Sequence, residues 1–367
     1  LDPEPSASTN SATSARENAL YRSPHDCQDK LSLNLILNML CYLANWLNYW
    51  KFMIVFKGIE SITKDFRGSF VMIGNFDGVH LSHRFICRKL ASEAKEAGAK
   101  SLVITFDPHP KMILHPDIRP FYLITTLEEK LKLLEHCGID GVLVIPFTMD
   151  YSKTTAEEFV HDFLGRKLAI GKIIIGHDYT FGQGKKGSSD YLIACGKTMG
   201  FAVEVVDAVK AGEDIISSTL IRNLILKGNF TKATGLLGRF YNVAGKVVSG
   251  FGRGAKLGYP TANIEPEKEL LPPEGIYAAF VETDGKSYQA ALNIGAKPTF
   301  ADYTCTFEVY LLDFSGDLRG KRLNTEFVEK LRDVVKFDSP EKLKKQITAD
   351  VEKARLTLLK NIKNNEL

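Results

Sequence analysis

Length and composition are those of an ordinary globular protein. The chain has 367 residues, 44% hydrophobic and 25% charged, and a guide of ~150 residues per domain predicts two domains. A formal net charge of +3 is too small to indicate a nucleic-acid-binding protein. The six cysteines are far apart and form no Cys-x-x-Cys motif, which excludes a zinc ribbon or a compact disulfide framework and favours a reducing cytoplasm.

The first 52 residues carry no functional motif. Residues 1–30 are rich in Ser, Pro, Asn and charge, which predicts disorder. Residues 31–50 lack charge over a length that could span a membrane, but asparagines at positions 34, 38, 45 and 48 share one helical face and would be costly in lipid. An interfacial helix and a non-native upstream extension remain as alternatives. We favour the extension, because Met53 opens an apolar strand, and we expect no membrane span and no signal peptide.

Strand and helix patterns alternate from residue 53 to residue 238. Strands are predicted at 70–73, 101–106, 141–145 and 172–176, with helices at 79–97, 127–136 and 156–164. This alternation is typical of an α/β domain with a doubly wound, Rossmann-like parallel sheet, whose ligands bind beyond the carboxyl ends of the strands. The polar turns 74–83, 107–110 and 176–182 each follow a strand, so we expect them at one edge of the sheet.

The turn 74–83 reads GNFDGVHLSH and joins a strand to a helix. Such a junction exposes unpaired N–H groups and predicts a phosphate site, with His80 and His83 on one face of the first helical turn. A pair of surface histidines is the alternative for a bare His-x-x-His. The pattern resembles the His-x-Gly-His signature of the nucleotidyltransferase superfamily, in which two histidines stabilise charge on the α-phosphate of a nucleoside triphosphate.

A second phosphate-binding candidate is the hexapeptide SSTLIR at residues 217–222. Ser217 is predicted to cap a helix, Ser218 and Thr219 lie in its first turn, and Arg222 follows one turn later. Hydroxyl groups and an arginine suit polyphosphate. Simple capping with a solvated arginine fits the hexapeptide equally well.

Beyond residue 239 short strands with glycine turns replace the alternation. Strands are predicted at 241–248, 277–282, 287–294, 304–312 and 321–329, and a helix at 340–358. Closely spaced strands with one terminal helix predict a small antiparallel β-barrel domain. Between the first strands lies a loop suited to MgATP, in which Thr261 and Asn263 offer neutral oxygen ligands for Mg²⁺. Its phosphate-binding candidates are Gly250, Gly252, Arg253, Gly254, Lys256 and Gly258.

From residue 53 to the end, the chain resembles the bacterial bifunctional riboflavin kinase and FAD synthetase family. The motifs that carry the resemblance are GNFDGVHLSH, DPHP at 107–110, GHDYTFG at 176–182 and SSTLIR in the first half, and PTAN at 260–263, NIGAKPT at 293–299 and FEVYLLDF at 307–314 in the second. The resemblance implies that domain 53–238 adenylylates FMN and that domain 239–367 phosphorylates riboflavin with MgATP.

The resemblance also implies roles for individual residues. Glu308 matches the base of the kinase, and His80, His83 and Arg222 match the catalytic residues of the adenylyltransferase. ATP contacts are expected from Gly74, Asn75, Phe76, Asp77, Ser82, Ser217, Ser218, Thr219 and the glycine-rich loop, and flavin contacts from Asp107, His109, Asp178, Phe181, Asn293 and Arg332.

Two departures from the family pattern stand out. Ser82 replaces the glycine of His-x-Gly-His, which would place a side chain where phosphate approaches the backbone, and Arg319 replaces an aromatic residue in a turn. Two alternatives therefore accompany the bifunctional enzyme: a riboflavin kinase with another nucleotidyl transfer activity, and a flavin- or nucleotide-binding regulator inactivated by Ser82. We expect riboflavin, FMN and ATP as ligands and no nucleic-acid or membrane partner. A homo-oligomer is compatible with the sequence, which leaves the oligomeric state open.

Overall fold

The computed structural model describes residues 53–117, 121–249, 253–298 and 303–365. The predictions for residues 1–52, Gly250 and Gly252 lie outside these ranges. The strands of the first half are β1 (Ile54–Lys57), β2 (Phe70–Ile73), β3 (Ser101–Asp107), β4 (Gly141–Pro146), β5 (Lys172–Gly176), β6 (Ala202–Val206), β7 (Lys210–Ala211) and β8 (Asp214–Ile215). Its helices are α1 (Leu81–Glu96), α2 (Pro110–Leu114), α3 (Leu127–Glu135), the wide, π-type α4 (Glu158–Lys167), α5 (Ser189–Met199), α6 (Ser218–Leu226) and α7 (Phe230–Leu237).

The predicted parallel sheet is confirmed. Six strands follow the order β1-β4-β3-β2-β5-β6, and every neighbouring pair runs parallel. The order reverses between β2 and β5, because the chain builds outward from β2 in one direction and then returns to its other side with β5. This switch point is where an open α/β sheet leaves a crevice for ligands. The turn with both histidines follows β2 and lies at this crevice.

The second half contains β9 (Tyr241–Val248), α8 (Arg253–Lys256), β10 (Ala262–Pro266), β11 (Gly275–Thr283), β12 (Lys286–Pro298), β13 (Tyr303–Leu311), β14 (Arg322–Arg332) and α9 (Pro340–Asn365). The predicted antiparallel barrel is confirmed as a closed barrel of six strands in the order β10-β13-β12-β11-β14-β9. β10 was not predicted as a strand, and it closes the barrel by pairing with β9 and β13.

The core of the barrel continues into helices that precede it in the chain. Phe230 of α7 stacks on Phe327 with ring centroids 5.2 Å apart, and Ile221, Leu224 and Ile225 of α6 belong to the same buried cluster as the barrel interior. On the outside of the barrel, α9 buries Ala354 and Leu358 against β11, β12 and β14. Among the helices of the described ranges, none combines the length and the apolar character needed to cross a membrane.

Candidate active sites

The turn after β2 has an unusual backbone. Phe76, Gly78 and Val79 have φ angles of 49°, 82° and 38°, and a left-handed conformation is rare for a β-branched residue such as Val79. The predicted helical start at residue 79 is therefore wrong, and α1 begins at Leu81 with His80 as its N-cap. Such backbone strain persists only where surrounding contacts fix the chain.

Asp77 supplies those contacts. Its side chain is 2% exposed, and Oδ1 accepts hydrogen bonds from the backbone N–H groups of Ile124 and Thr125 at 2.9 and 3.2 Å. Oδ2 is 2.6 Å from Nη2 of Arg222, and the backbone oxygen of Asp77 accepts a bond from Ser218 Oγ at 2.8 Å. The carboxylate thus joins the histidine turn to the starts of α3 and α6.

The hexapeptide 217–222 therefore lies beside the histidine turn. Ser217 is the N-cap of α6, as predicted, and accepts a hydrogen bond from the backbone N–H of Leu220. Arg222 is not a solvated side chain: its Nε donates to the backbone oxygen of Tyr122 at 2.6 Å, and its guanidinium carbon lies 4.6 Å from the ring centroid of Phe121. Thr219 is exposed.

The two predicted histidines stack on each other, with ring centroids 3.6 Å apart. His80 is 3% exposed, and burial together with the nearby charge of Arg239 lowers its pKa to about 4. Burial, His80 and Lys130 lower the pKa of His83 well below its usual value. Nδ1 of His83 is buried and has no hydrogen-bond partner among the described residues. Both imidazoles are therefore neutral at pH 7 and can donate hydrogen bonds to an anion without themselves being charged.

The DPHP turn reaches the same edge of the sheet. His109 caps α2, and its ring centroid lies 4.7 Å from that of Phe121. The guanidinium of Arg222 packs against the same Phe121 ring. Burial, followed by the charges of Lys130, Arg222 and Lys111, lowers the pKa of His109 to about 3. The structure thus brings His109 next to Arg222, while the side chain of Asp107 is exposed.

The third predicted turn, at residues 176–182, places fewer side chains near the histidines. Asp178 is exposed after β5, but the ring of Phe181 is buried and packs against Phe159 and Tyr179, with centroids 5.6 Å away in each case. Phe181 is therefore part of the sheet core and is not grouped with the histidines.

Two further cations lie at this site and were not predicted from the sequence: Lys130, which is buried, and Arg239, which is partly buried. Lys130 is 6% exposed on α3, and Nη1 of Arg239 is buried without a hydrogen-bond partner among the described residues. A signal for Lys130 was present in the sequence. It falls among Leu127, Leu131 and Leu134, on the apolar face of the helix, where an unpaired lysine is costly.

A second set of polar side chains lies across three strands of the barrel. Glu308 of β13 is the register partner of Asn263 of β10 on one side and of Asn293 of β12 on the other. The neighbours of Glu308, Phe307 and Val309, are buried in the barrel interior, so Glu308 and both asparagines face outward because side chains alternate along a strand. Oδ1 of Asn293 is buried and has no hydrogen-bond partner among the described residues.

The glycine-rich loop enters this outer face through α8. A Cβ at Gly254 would lie 2.3 Å from the backbone oxygen of Tyr259 and 3.2 Å from Thr261 Oγ1, so only glycine fits beside Thr261. Arg332, expected to contact flavin, is paired with α9: its Nε and Nη2 lie 2.8 and 2.5 Å from the carboxylate oxygens of Asp350. Within the described ranges, no group of three or more His, Cys, Asp or Glu side chains is arranged to hold a metal ion.

Comparison with known proteins agrees with two sites on two architectures. The family model for FAD synthetase matches residues 62–220, and that for riboflavin kinase matches residues 237–358. Among related proteins, a bifunctional riboflavin kinase/FMN adenylyltransferase from Pseudomonas fluorescens is 37% identical over 82% of this chain and 96% of its own length, and one from Escherichia coli strain K12 is 34% identical over 83% and 97%. A crystal structure described as a macrolide-efflux protein from Streptococcus pneumoniae has a TM-score of 0.76 at 32% identity, covering 83% of this chain and 99% of that one. Because each half matches one of the two models and both relatives are covered almost from end to end, the chain belongs to the family of bifunctional riboflavin kinase/FMN adenylyltransferases.

Proposed function

We propose that FMN is made on the outer face of the barrel, around Glu308, and is converted to FAD at the carboxyl edge of the sheet, around His80 and His83. The proposed domains are residues 53–238 for adenylylation and 239–367 for riboflavin phosphorylation, preceded by an extension at 1–52 that neither reaction needs. The free thiols of Cys87, Cys137 and Cys195 support a reducing cytoplasm as the location.

In the kinase reaction, Glu308 accepts the proton of the ribityl 5′-hydroxyl. The freed oxygen attacks the γ-phosphorus of ATP, a new O–P bond forms, and the bond to the β-phosphate oxygen breaks so that ADP leaves. The register of Glu308 between Asn263 and Asn293 supports this role, because both amides can orient a hydroxyl or a phosphate next to the carboxylate.

The residues around Glu308 also fit a divalent cation that accompanies ATP, which we propose is Mg²⁺. The hydroxyl of Thr261 and the amide oxygen of Asn263 are hard, neutral ligands of the kind that Mg²⁺ accepts together with phosphate and water. The unpartnered Oδ1 of Asn293 is a further oxygen without a protein donor. When bound, the ion would neutralise charge on the phosphates of ATP.

In the adenylyl transfer, a phosphate oxygen of FMN attacks the α-phosphorus of ATP. A P–O–P linkage forms between the two nucleotide phosphates, and the bond to the β-phosphate breaks, so that pyrophosphate leaves with the bonding electrons. FMN phosphate is already an anion, so the protein needs to hold the phosphates and stabilise developing charge. Neutral His80 and His83 are suited to donate hydrogen bonds to the α-phosphate. Arg222 of α6 is held beside them by its ion pair with Asp77.

The observation that carries the proposal is the separation of two polar sites on two architectures, and paired variants test it. Glu308→Gln keeps the side-chain shape but removes the base, so FMN formation should fall ~100-fold or more while FAD formation from supplied FMN persists. His83→Ala should do the reverse, because it removes a group aimed at the α-phosphate in the transition state.

Glu282→Gln, an exposed glutamate of β11, is the matched control for Glu308→Gln. Both reactions are followed by chromatography of flavins at saturating MgATP. If either variant lost both activities in proportion while remaining folded, the two-site assignment would be wrong. FMN formation without any FAD from the unmodified chain would favour the inactive-regulator alternative for the first domain.

A further inference from the structure

We propose that the ammonium group of Lys130 binds the phosphate of FMN and holds it against the α-phosphate of ATP. The inference rests on the proposed adenylylation site and assigns to it the cation that recognises the nucleophile.

Lys130 is a buried cation that forms no ion pair within the described residues, although the charges of Asp77 and Asp107 act on it and partly oppose the lowering of its pKa by burial. Its Nζ is 3.4 Å from Thr105 Oγ1, and no carboxylate oxygen of the described residues lies within ion-pair distance. A buried lysine is usually paired with a carboxylate. Lys268 shows this arrangement, with its Nζ 2.8 Å from Glu129 Oε2. A buried ammonium held by one hydroxyl is expensive unless an anion joins it in the working state.

Lys130 lies between the histidine turn and the DPHP turn, the two motifs that are predicted to bind ATP and flavin. Thr105, its hydroxyl partner, donates to the backbone oxygen of Asn75 at 3.2 Å, which places the lysine head beside the histidine turn. Thr105 is also two residues from Asp107, at the start of the DPHP turn. The charge of Lys130 acts on His83 and on His109, lowering the pKa of both. The ammonium therefore lies near both the proposed ATP side and the proposed flavin side of the site.

The chemistry of the transfer requires a cation at this point. The attacking phosphate of FMN and the α-phosphate of ATP are both anions, and their repulsion must be offset before a phosphate oxygen can approach the phosphorus. The two imidazoles are neutral, and the guanidinium of Arg222 is paired with Asp77. Arg239 is a further cation whose charge acts on His80, whereas the charge of Lys130 acts on both His83 and His109. Lys130 can supply positive charge to both phosphates without first breaking an ion pair.

The test is the FMN dependence of FAD formation in Lys130→Met, with Lys132→Met as the matched control. Lys132 lies on the same helix but is exposed and paired with Glu128. Lys130→Met should lower kcat/KM for FMN about 10- to 100-fold, the size expected for one charged hydrogen bond, with a raised KM for FMN and a smaller change in KM for ATP. Lys132→Met should match the unmodified chain.

Several outcomes would overturn the inference. An unchanged KM for FMN would do so, as would an effect confined to the KM for ATP, which would move the ammonium to the leaving pyrophosphate. FMN formation from riboflavin shows whether the variant is folded, and Lys130→Gln, which keeps a polar side chain, replaces Lys130→Met if that variant does not fold. If the unmodified chain makes no FAD from FMN and ATP, the proposed function has failed instead, so the two failures are distinguishable.

Discussion

A side chain can assist phosphate chemistry by donating a hydrogen bond or by supplying positive charge, and the charge state of the histidines indicates which of the two they can provide. Burial lowers the pKa of His80 and of His83, so in the proposed adenylylation they would act by directed hydrogen bonds, and positive charge would come from lysine or arginine. Neutral donors do not have to lose a proton when pyrophosphate leaves. This difference between hydrogen-bond donors and charged groups also explains why cations lie close to two uncharged imidazole rings.

Acidification should therefore destabilise the first domain through His80. Its pKa is about 4 in the folded chain and ~6.5 in the unfolded one, so the unfolded state binds more protons between these values and stability falls as the pH falls. From pH 7 to pH 5 the loss is about 2 kcal/mol for this residue. Urea unfolding at both pH values measures it.

His80→Asn is the matching variant for this measurement, since asparagine also caps helices well. It should reduce the difference in unfolding free energy between pH 7 and pH 5 by most of that amount. An unchanged difference would mean that His80 is not the neutral, buried group described above.

At the scale of elements, the sequence predicted most of the architecture because each strand and helix has its own period. β2, β5 and β9 have the predicted bounds, and Ser217 caps α6 as expected. β10 was not predicted because it is short and directly follows a glycine-rich loop. The start of α1 was misplaced because Asp77 and its long-range partners, rather than local propensity, fix the turn.

The site was predictable only in part, for a related reason. Motif residues such as His80, His109 and Arg222 are brought together because strand ends share one edge of the sheet. The contact partners of other motif residues come from distant elements: Asp350 of α9 pairs with Arg332, and Phe159 packs against Phe181. Lys130 could be found from its place on an apolar helical face, but its neighbours could not.

The first turn of α1 is where the remaining departure from the family pattern can be tested. Ser82 is almost fully buried there, and a serine adds a Cβ and a hydroxyl where we expect ATP to approach the backbone. Displacement of the nucleotide by about an ångström could cost ~100-fold in rate. Ser82→Gly should then raise FAD formation by about tenfold or more and leave FMN formation unchanged. Both rates are compared at saturating MgATP, and an equal or slower FAD rate in Ser82→Gly would show that serine is accommodated.

At the scale of the whole molecule, α3 connects the sheet to the barrel. Oε2 of Glu129 accepts a bond from Lys268 Nζ at 2.8 Å, and Oε1 accepts one from Asn242 Nδ2 at 2.9 Å. Asn242 also donates to Asn324 Oδ1 at 2.8 Å, and Lys268 Nζ donates to the backbone oxygen of Ile124 at 3.1 Å. Glu129 directly precedes Lys130 and closes the capping box of α3 with Thr126. The contacts that join the two halves therefore also fix the helix that carries the proposed FMN-binding lysine.

A double-mutant cycle on Glu129 and Lys268 tests this connection. The Lys268 side chain is 4% exposed, so Lys268→Met leaves the carboxylate of Glu129 largely buried without its counterion, which should cost about 3–5 kcal/mol of unfolding free energy. Glu129→Gln keeps the shape of the capping side chain and removes the charge that would be stranded. Combining the two changes should therefore cost less than the sum of the single changes, with a coupling of about 1–3 kcal/mol. Lys321→Met removes an exposed partner of Asp284 on the barrel and is the control, with an expected loss below about 1 kcal/mol. Strictly additive costs, measured by urea unfolding, would show that Glu129 and Lys268 do not stabilise each other, and that the remaining contacts hold α3 against the barrel.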